Sequence, residues 1–559
     1  MLLETLSAMR DLPRLHEITS IMIRHGFGDL MRRIGIVTLL ERAGQMLHWP
    51  QAGESEKLDT PQRVRRALEE LGPTFVKLGQ VLATRVDVFP PEWITELEKL
   101  QSEVPPVPFD ELLPELEQAL GYSPFELFRD LETEARGSAS IAQVHWAKLA
   151  DGTPVVLKIR RPGIRSKIEA DLRILHHIAA LIESEISETR RYQPVQIVME
   201  FGRSLQRELD LALEAHAQER FAENFADDPN ILIPRIYWEW TSAQMNVQQH
   251  IDGIPGNDYA AIDAAGLDRK VLASRGADAV LKMILIDGYF HADPHPGNVF
   301  YLPGNRIAMI DFGMVGRLSE YRRNQIVDML AALARHDEEG MLEVLLDWTG
   351  EVLVDEAKLA ADIAELTFHY EHVPLKDIRI GALIGEITTI MREHSIVLPS
   401  DLTLLFKAMI TLEGLGRQLD PDFHMVEHLT PFVRRVITER YYPGALFKRG
   451  RRGLREILSL LAGLPRDAAR LLKEVRRGRV KIDLDLKRLD HFGHQLDRST
   501  NRLTLGILTA SLIIGSSIVM TVQGGPTLFG LPLFGLLGFL VAFFNSVWIV
   551  LSIWRSGRE

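Results

Sequence analysis

The sequence predicts an α+β body followed by a two-span transmembrane helical hairpin, and three observations carry that prediction. Strand-like and helix-like patterns alternate between residues 120 and 320 and then give way to helical character. Residues 503–554 form a run of 52 positions without one Asp, Glu, Lys, Arg or His. Charge is also segregated: the 64 basic and 76 acidic side chains sum to −12, but residues 434–502 carry +11 and residues 503–559 carry +1, which leaves −24 on residues 1–433. The acidic balance argues against a general nucleic-acid binder. The absence of cysteine excludes disulfides, thiol catalysis and cysteine-ligated metal sites. With 46% apolar and 25% charged residues, the body is an ordinary globular chain with room for three or four domains.

Residues 1–33 interrupt their apolar positions with Arg10, Asp11, Arg14, Glu17, Arg24 and Asp29, so they hold no continuous signal-peptide core. They read as an amphipathic helix, either packed on the body or lying on a membrane surface. A helical extension is expected over 1–120. Residues 141–149 and 155–159 flank Asp151-Gly152 as a β-hairpin. Long helical patterns cover 164–188 and 194–225, with strand-like stretches at 231–240 and 243–250. A helix near 268–287 leads to a loop at 291–298 and short strands at 299–302 and 307–310. The main domain therefore runs over 121–430, followed by a basic helical neck at 431–502 that includes Lys448, Arg449, Arg451, Arg452, Arg476, Arg477 and Arg479.

The tail divides into runs at about 503–522 and 531–554 around Gln523-Gly524-Gly525-Pro526. Twenty residues at about 1.5 Å each cross a hydrocarbon core of about 30 Å. Arg498 and Arg502 precede the first run, and Arg555 and Arg558 follow the second. Basic flanks stay inside, so both termini and the body are expected on the cytoplasmic face of the membrane. Gly506/Ala510 and Ser511/Gly515 suit close helix contact within the hairpin or in a homo-oligomer.

The densest chemical signal is His291-Ala292-Asp293-Pro294-His295-Pro296-Gly297-Asn298, followed by Asp311-Phe312-Gly313. Two readings compete. His291, Asp293 and His295 have the chemistry to ligate a transition metal. Alternatively, Asp293 acts beside Asn298 and Asp311, which hold a phosphate-bound Mg²⁺. The second reading makes further demands that the chain meets, because protein kinases place an aspartate five residues before a metal-binding asparagine, then a DFG aspartate, with a strand lysine paired to a helix glutamate. Here Lys158 ends the run Val155-Val156-Leu157, and Glu214 lies on a helical pattern. The loop before the lysine, Arg136-Gly137-Ser138-Ala139-Ser140, has fewer glycines than the usual G-x-G-x-x-G and so a stiffer backbone.

These residues, together with others upstream, resemble the UbiB family of atypical, kinase-like membrane proteins linked to ubiquinone biosynthesis. Lys77, Gly79 and Gln80, followed by Ala83-Thr84-Arg85-Val86-Asp87, are similar to the family's K-x-G-Q segment. Gly137–His145 is similar to its alanine-rich nucleotide loop, Glu208-Leu209-Asp210 to its E-x-D motif, and 291–298 to its most distinctive signature. The resemblance implies an atypical protein-kinase-like fold with a β-sheet N-lobe and a mostly helical C-lobe. It implies ATP contacts from Arg136, Gly137, Ser138, Ala139, Ser140, Ile141, Ala142, Gln143 and Val144, and from Gln249 and Ile251 at the hinge. Lys158 would hold phosphates and pair with Glu214, Asp293 would be catalytic, and Asn298 and Asp311 would ligate Mg²⁺. Lys77 would lie near Glu208 and Asp210, on an extension that fills the protein-substrate cleft. The implied activity is ATPase turnover in support of quinone synthesis, with membrane lipid, prenylated quinone precursors and other quinone-biosynthesis proteins as partners. A membrane-anchored protein or lipid kinase and a pseudokinase scaffold are the alternatives. Gly137 and Ser138 replace the family's alanines, which leaves ATP-versus-ADP preference open, and Gln249 stands where glutamate is common.

Overall fold

A computed structural model of the chain describes residues 2–44, 58–100, 104–349 and 354–441, and in the tail 504–505, 507–519, 526–528, 531–532 and 536–546. The chain forms two units, 1–446 and 447–559.

In the first unit, strands Gly137–Ser138, Ala142–Lys148, Pro154–Arg160 and Met245–Gln249 pair antiparallel in that order. Alternation decides the faces. Val155, Leu157 and Ile159 are buried against Phe109, Leu112 and Leu116 of helix Phe109–Leu120, which leaves Val156 and Lys158 to line the cleft on the other side. A second sheet, Ile231–Leu232, Arg306–Met309, Val299–Leu302 and Ile254–Pro255, lies across that cleft. Beside it Tyr289–His291 pairs antiparallel with Val315–Arg317. The turn-rich loop 291–298 and Asp311 thus hang from strand ends. A helical layer that includes Arg269–Leu281, Glu320–Ala334, Ile380–Glu393 and Ser400–Leu419 builds the largest core beneath them.

Several expectations are corrected. The pattern at 194–225 is two helices, Pro194–Glu208 and Leu211–Asn224. Asp210 breaks it, because its extended backbone (φ −108°, ψ 95°) and its Oδ1, which accepts from Ala212 N at 3.1 Å, make it an N-cap. The stretch at 231–240 gives a two-residue strand, Ile231–Leu232, an isolated antiparallel bridge from Ile236 to Gln248, and a 3₁₀ turn, Trp238–Trp240. The helix near 268–287 runs as α over Arg269–Leu281 and as a π-turn over Lys282–Asp287, then stops at Gly288, whose φ of 62° is left-handed.

The N-terminal helix Leu2–Arg24 packs on the body. Leu15, Ile18 and Ile21 join Ala67, Leu71 and Ile168 in a shared core, and Arg14 Nε meets the fully buried Asp171 at 2.7 Å.

In the tail, the beginning of the expected second span is not helical: Leu531–Pro532 pairs with Thr527–Leu528 as a short hairpin. Among the described residues no helix is long and apolar enough to cross a membrane. The two described helical stretches, 507–519 and 536–546, have polar groups inside and large apolar groups outside. Asn545 Nδ2 donates to Thr509 Oγ1 at 3.0 Å, and a Cβ at Gly538 would collide with Ser516 Oγ. Thr509, Ser516 and Ala542 are buried, while Ile507, Leu508, Ile514, Ile518, Phe543 and Phe544 are exposed. The neck's basic cluster lies outside the described residues.

Candidate active site

Lys158 reaches from its strand to two carboxylates, with Nζ 2.7 Å from Glu214 Oε1 and 3.2 Å from Asp311 Oδ1. Helix Leu211–Asn224 presents Glu214 because the Asp210 cap starts a new helix one turn earlier. Burial works to discharge Lys158, but Asp311 and Glu214 outweigh it and hold it as the cation. Lys158 in turn holds the Asp311 carboxyl well below the usual range. Burial pushes Glu214 up to about 7, with Lys158 pulling against it and Asp311 adding to it. Asp311 has a left-handed backbone (φ 58°), rare for a side-chain-bearing residue, and its Oδ1 accepts from Gly313 N at 3.3 Å.

The loop 291–298 is pinned by backbone bonds to its own side chains. His291 is buried, its Nε2 donating to Ile310 O at 3.2 Å and its Nδ1 accepting from Asp293 N at 3.1 Å. Burial lowers its pKa, in keeping with that neutral tautomer. Both ring nitrogens are engaged, so His291 has none to offer a transition metal, and the kinase-like reading is the one the geometry follows. His295 Nδ1 caps Gly297 N at 3.0 Å. Asn298 Nδ2 donates to Asp293 O at 3.2 Å, which locks the two ends of the loop together. Asp293 Oδ1 pairs with Lys407 Nζ at 2.8 Å. Burial would raise the Asp293 pKa, but Lys407 brings it below the ordinary value.

These groups line two adjoining cavities. One, about 670 Å³, includes Lys77, Gln80, Ser138, Ala139, Ser140, Ile141, Ala142, Lys158, Glu214, Asp293, Asn298 and Asp311. The other, about 370 Å³, lies under the sheet and includes Arg136, Gly137, Val144, Gln249 and Ile251, with Val156, Phe300 and Ile310 as an apolar slot. Ser140 Oγ, in the first cavity, is buried with no hydrogen-bond partner. A ligand oxygen in the cavity would satisfy this buried hydroxyl. Together with the Lys158 cation and the hard oxygen donors of Asn298 and Asp311, the residues fit a nucleotide phosphate with Mg²⁺, which takes few protein ligands and the rest from phosphate and water.

Three expected contacts fall elsewhere. Gln143 is fully buried and turned from the cavities, its amide bonding Val107 N and O at 2.9 and 3.1 Å and His145 Nε2 at 2.9 Å. Strand alternation puts it on the opposite face from Ala142 and Val144. Asp210 caps a helix, and among the described residues Lys77 pairs with Glu208. Gly79 serves packing, since a Cβ there would collide with Leu100 and Leu68. That close approach seats helix Pro73–Ala83 against the cleft, where Gln80 Nε2 donates to Leu100 O at 3.0 Å. Sequence reasoning missed Lys407, Thr411 and Glu98, which line the larger cavity. Lys407 lies in mid-helix over a hundred residues from Asp293, and no local pattern marks it.

Comparison with known proteins agrees with this geometry. The ABC1 atypical kinase-like domain matches residues 99–345, the UbiB helical domain 363–424, and the ABC1/UbiB kinase-like C-terminal domain 487–555. A relative from Marinobacter nauticus named "Probable protein kinase UbiB" is 35% identical over 79% of this chain and 81% of its own. One of the same name from Azotobacter vinelandii is 32% identical over 92% and 94%. An uncharacterized protein from the hydrogenase 1 5′ region of Clostridium pasteurianum is 30% identical over 97% and 99%. Kinase-like lobes, a lysine–glutamate pair at a DFG aspartate and near full-length similarity converge on one assignment: the chain belongs to the UbiB family of atypical kinase-like proteins.

Proposed function

We propose that the protein is a Mg²⁺-dependent ATPase of the cytoplasmic membrane face that supports the synthesis of ubiquinone or a related polyprenyl quinone. The observation that carries the reading is the Lys158–Glu214 pair, made at 2.7 Å with Asp311 at 3.2 Å, in one cavity with Asp293 and Asn298. Lys158 binds phosphate charge, and Glu214 keeps the lysine aimed. Val156, Phe300 and Ile310, which line the smaller cavity, would receive the base. Asp293 accepts the proton of the attacking hydroxyl or water. Asn298 and Asp311 would hold Mg²⁺, which when bound would supply positive charge against the phosphates. Helices Pro73–Ala83 and Pro91–Leu97 cover the mouth, where Lys77, Gln80 and Glu98 line the cavity. That cover favours water or a small acceptor over a polypeptide.

Membrane placement draws on the uncharged tail and on its apolar exterior at Ile507, Ile514, Phe543 and Phe544. Such a tether puts ATP turnover beside prenylated precursors too apolar to leave the bilayer. ATP turnover by the full chain, measured with and without liposomes, tests the proposal. Asp293→Asn should lower the rate by at least about 100-fold and leave nucleotide binding intact. Full ATPase in that variant would falsify the catalytic assignment. Asp293-dependent transfer of labelled phosphate to a protein or lipid would favour the kinase alternative.

A further inference from the structure

Asp293 needs one carboxylate oxygen fixed and the other free for a proton, yet its own loop supplies little to orient it. Within the loop, His295 Nε2 is 3.7 Å from Oδ2, beyond hydrogen-bond reach. The partner that does reach the carboxylate comes from elsewhere: Lys407 Nζ, 2.8 Å from Oδ1. Lys407 stands on helix Ser400–Leu419, inside the stretch that matches the UbiB helical domain. That helix is a rigid base. Leu402, Leu405, Phe406, Met409 and Leu412 bury its inner faces, and Ser400 Oγ donates to Glu200 Oε2 at 2.6 Å. Lys407 and Thr411, one turn apart, share the face that lines the cavity, with Glu98 of the extension in the same wall. Lys407 is 29% exposed and Asp293 26%, so the pair is shielded enough to hold a geometry that an open surface pair would not.

We propose that Lys407 is the positioning residue for Asp293, clamping Oδ1 so that Oδ2 faces the incoming hydroxyl or water. The helical domain would then be part of the catalytic apparatus and not only a support for it. This rests on the ATPase reading above and adds a role to it.

The test compares wild type, Lys407→Met and Lys407→Arg as full-length protein, reading kcat, KM for ATP, and thermal midpoint. Loss of alignment should lower kcat about 10- to 100-fold in Lys407→Met, with KM changed by less than about 3-fold. The midpoint should stay near that of wild type, and Lys407→Arg should recover much of the rate. An unimpaired Lys407→Met beside an active wild type overturns the role and leaves the ATPase reading standing. So does a variant that loses rate, ATP affinity and thermal midpoint together without rescue by arginine, since that is structural damage. A wild type without turnover removes the ATPase reading itself, and this role with it.

Discussion

Gln143 and His145 illustrate what a motif hides at the scale of single residues. Their stretch matches a nucleotide loop, but alternation sends Gln143 inward, where it bonds both backbone groups of Val107 and donates to His145 Nε2. His145 Nδ1 then donates to Glu132 O at 2.9 Å. This chain of bonds needs neutral imidazole, and burial accordingly lowers the His145 pKa. Unfolded, the ring titrates near the ordinary value of about 6.5, so below that pH the unfolded chain binds the extra proton. The stabilising contribution is therefore complete above about pH 6.5 and is lost as pH falls from there toward the folded pKa. Urea midpoints should drop between about pH 7.5 and about pH 5.5, and more steeply in wild type than in His145→Asn. Equal slopes in the two proteins would exclude this histidine as the source. Gln143→Leu should cost about 1 to 3 kcal/mol at neutral pH through the unpaired partners it leaves, with no change in nucleotide affinity.

At the scale of elements, the extension is tied to both sides of the cleft. Thr74 Oγ1 bonds Asp171 Oδ2 at 2.6 Å on helix Ile164–Glu185. Asp87 pairs with Arg85 at 2.8 Å and accepts from Leu398 N at 2.9 Å, while Arg392 donates to Val86 O and Phe89 O. Asp87 is fully buried and Arg85 nearly so, which makes the pair costly to break from one side. Asp87→Ala should destabilise the body by about 3 to 5 kcal/mol, since it strands a buried guanidinium. Hydrogen exchange should speed up first over residues 73–97. Uniform acceleration across the whole unit would show that the extension is no separate clamp. The hairpin around Asp151-Gly152 and strand Val299–Leu302 were legible in sequence because period-two patterning and turn residues are local. The break at Asp210 and the π-turn at 282–287 were not, because apolar periodicity runs through both. Lys158, Glu214, Asp293, Asn298 and Asp311 were legible through fixed spacings, whereas Lys407 meets Asp293 only through the packing of distant helices.

At the scale of the whole molecule, a chain without cysteine allows its topology to be read one introduced thiol at a time. The tail puts Thr509, Ser516 and Asn545 inward and its large apolar side chains outward. That is the reverse of a soluble hairpin. A pair of helices in water would bury Phe543 and Phe544, each worth roughly 1.5 to 3 kcal/mol on burial, and a bilayer removes that drive. With basic residues at 498, 502, 555 and 558 retained inside, the proposed topology sends only the uncharged turn at 523–526 to the far face. Gln523→Cys should therefore react with a membrane-impermeant maleimide on intact cells. Ser556→Cys and Ser55→Cys should react only after permeabilisation. Labelling of Ser556→Cys on intact cells would mean a single crossing, with the C-terminus outside. Labelling of all three without permeabilisation would remove the cytoplasmic placement of the ATP site. Protection of Gln523→Cys in intact cells, with labelling after permeabilisation, would mean that the hairpin does not cross at all. The apolar exterior would then have to be covered by protein, and detergent-free extraction with salt should release the chain from the membrane fraction.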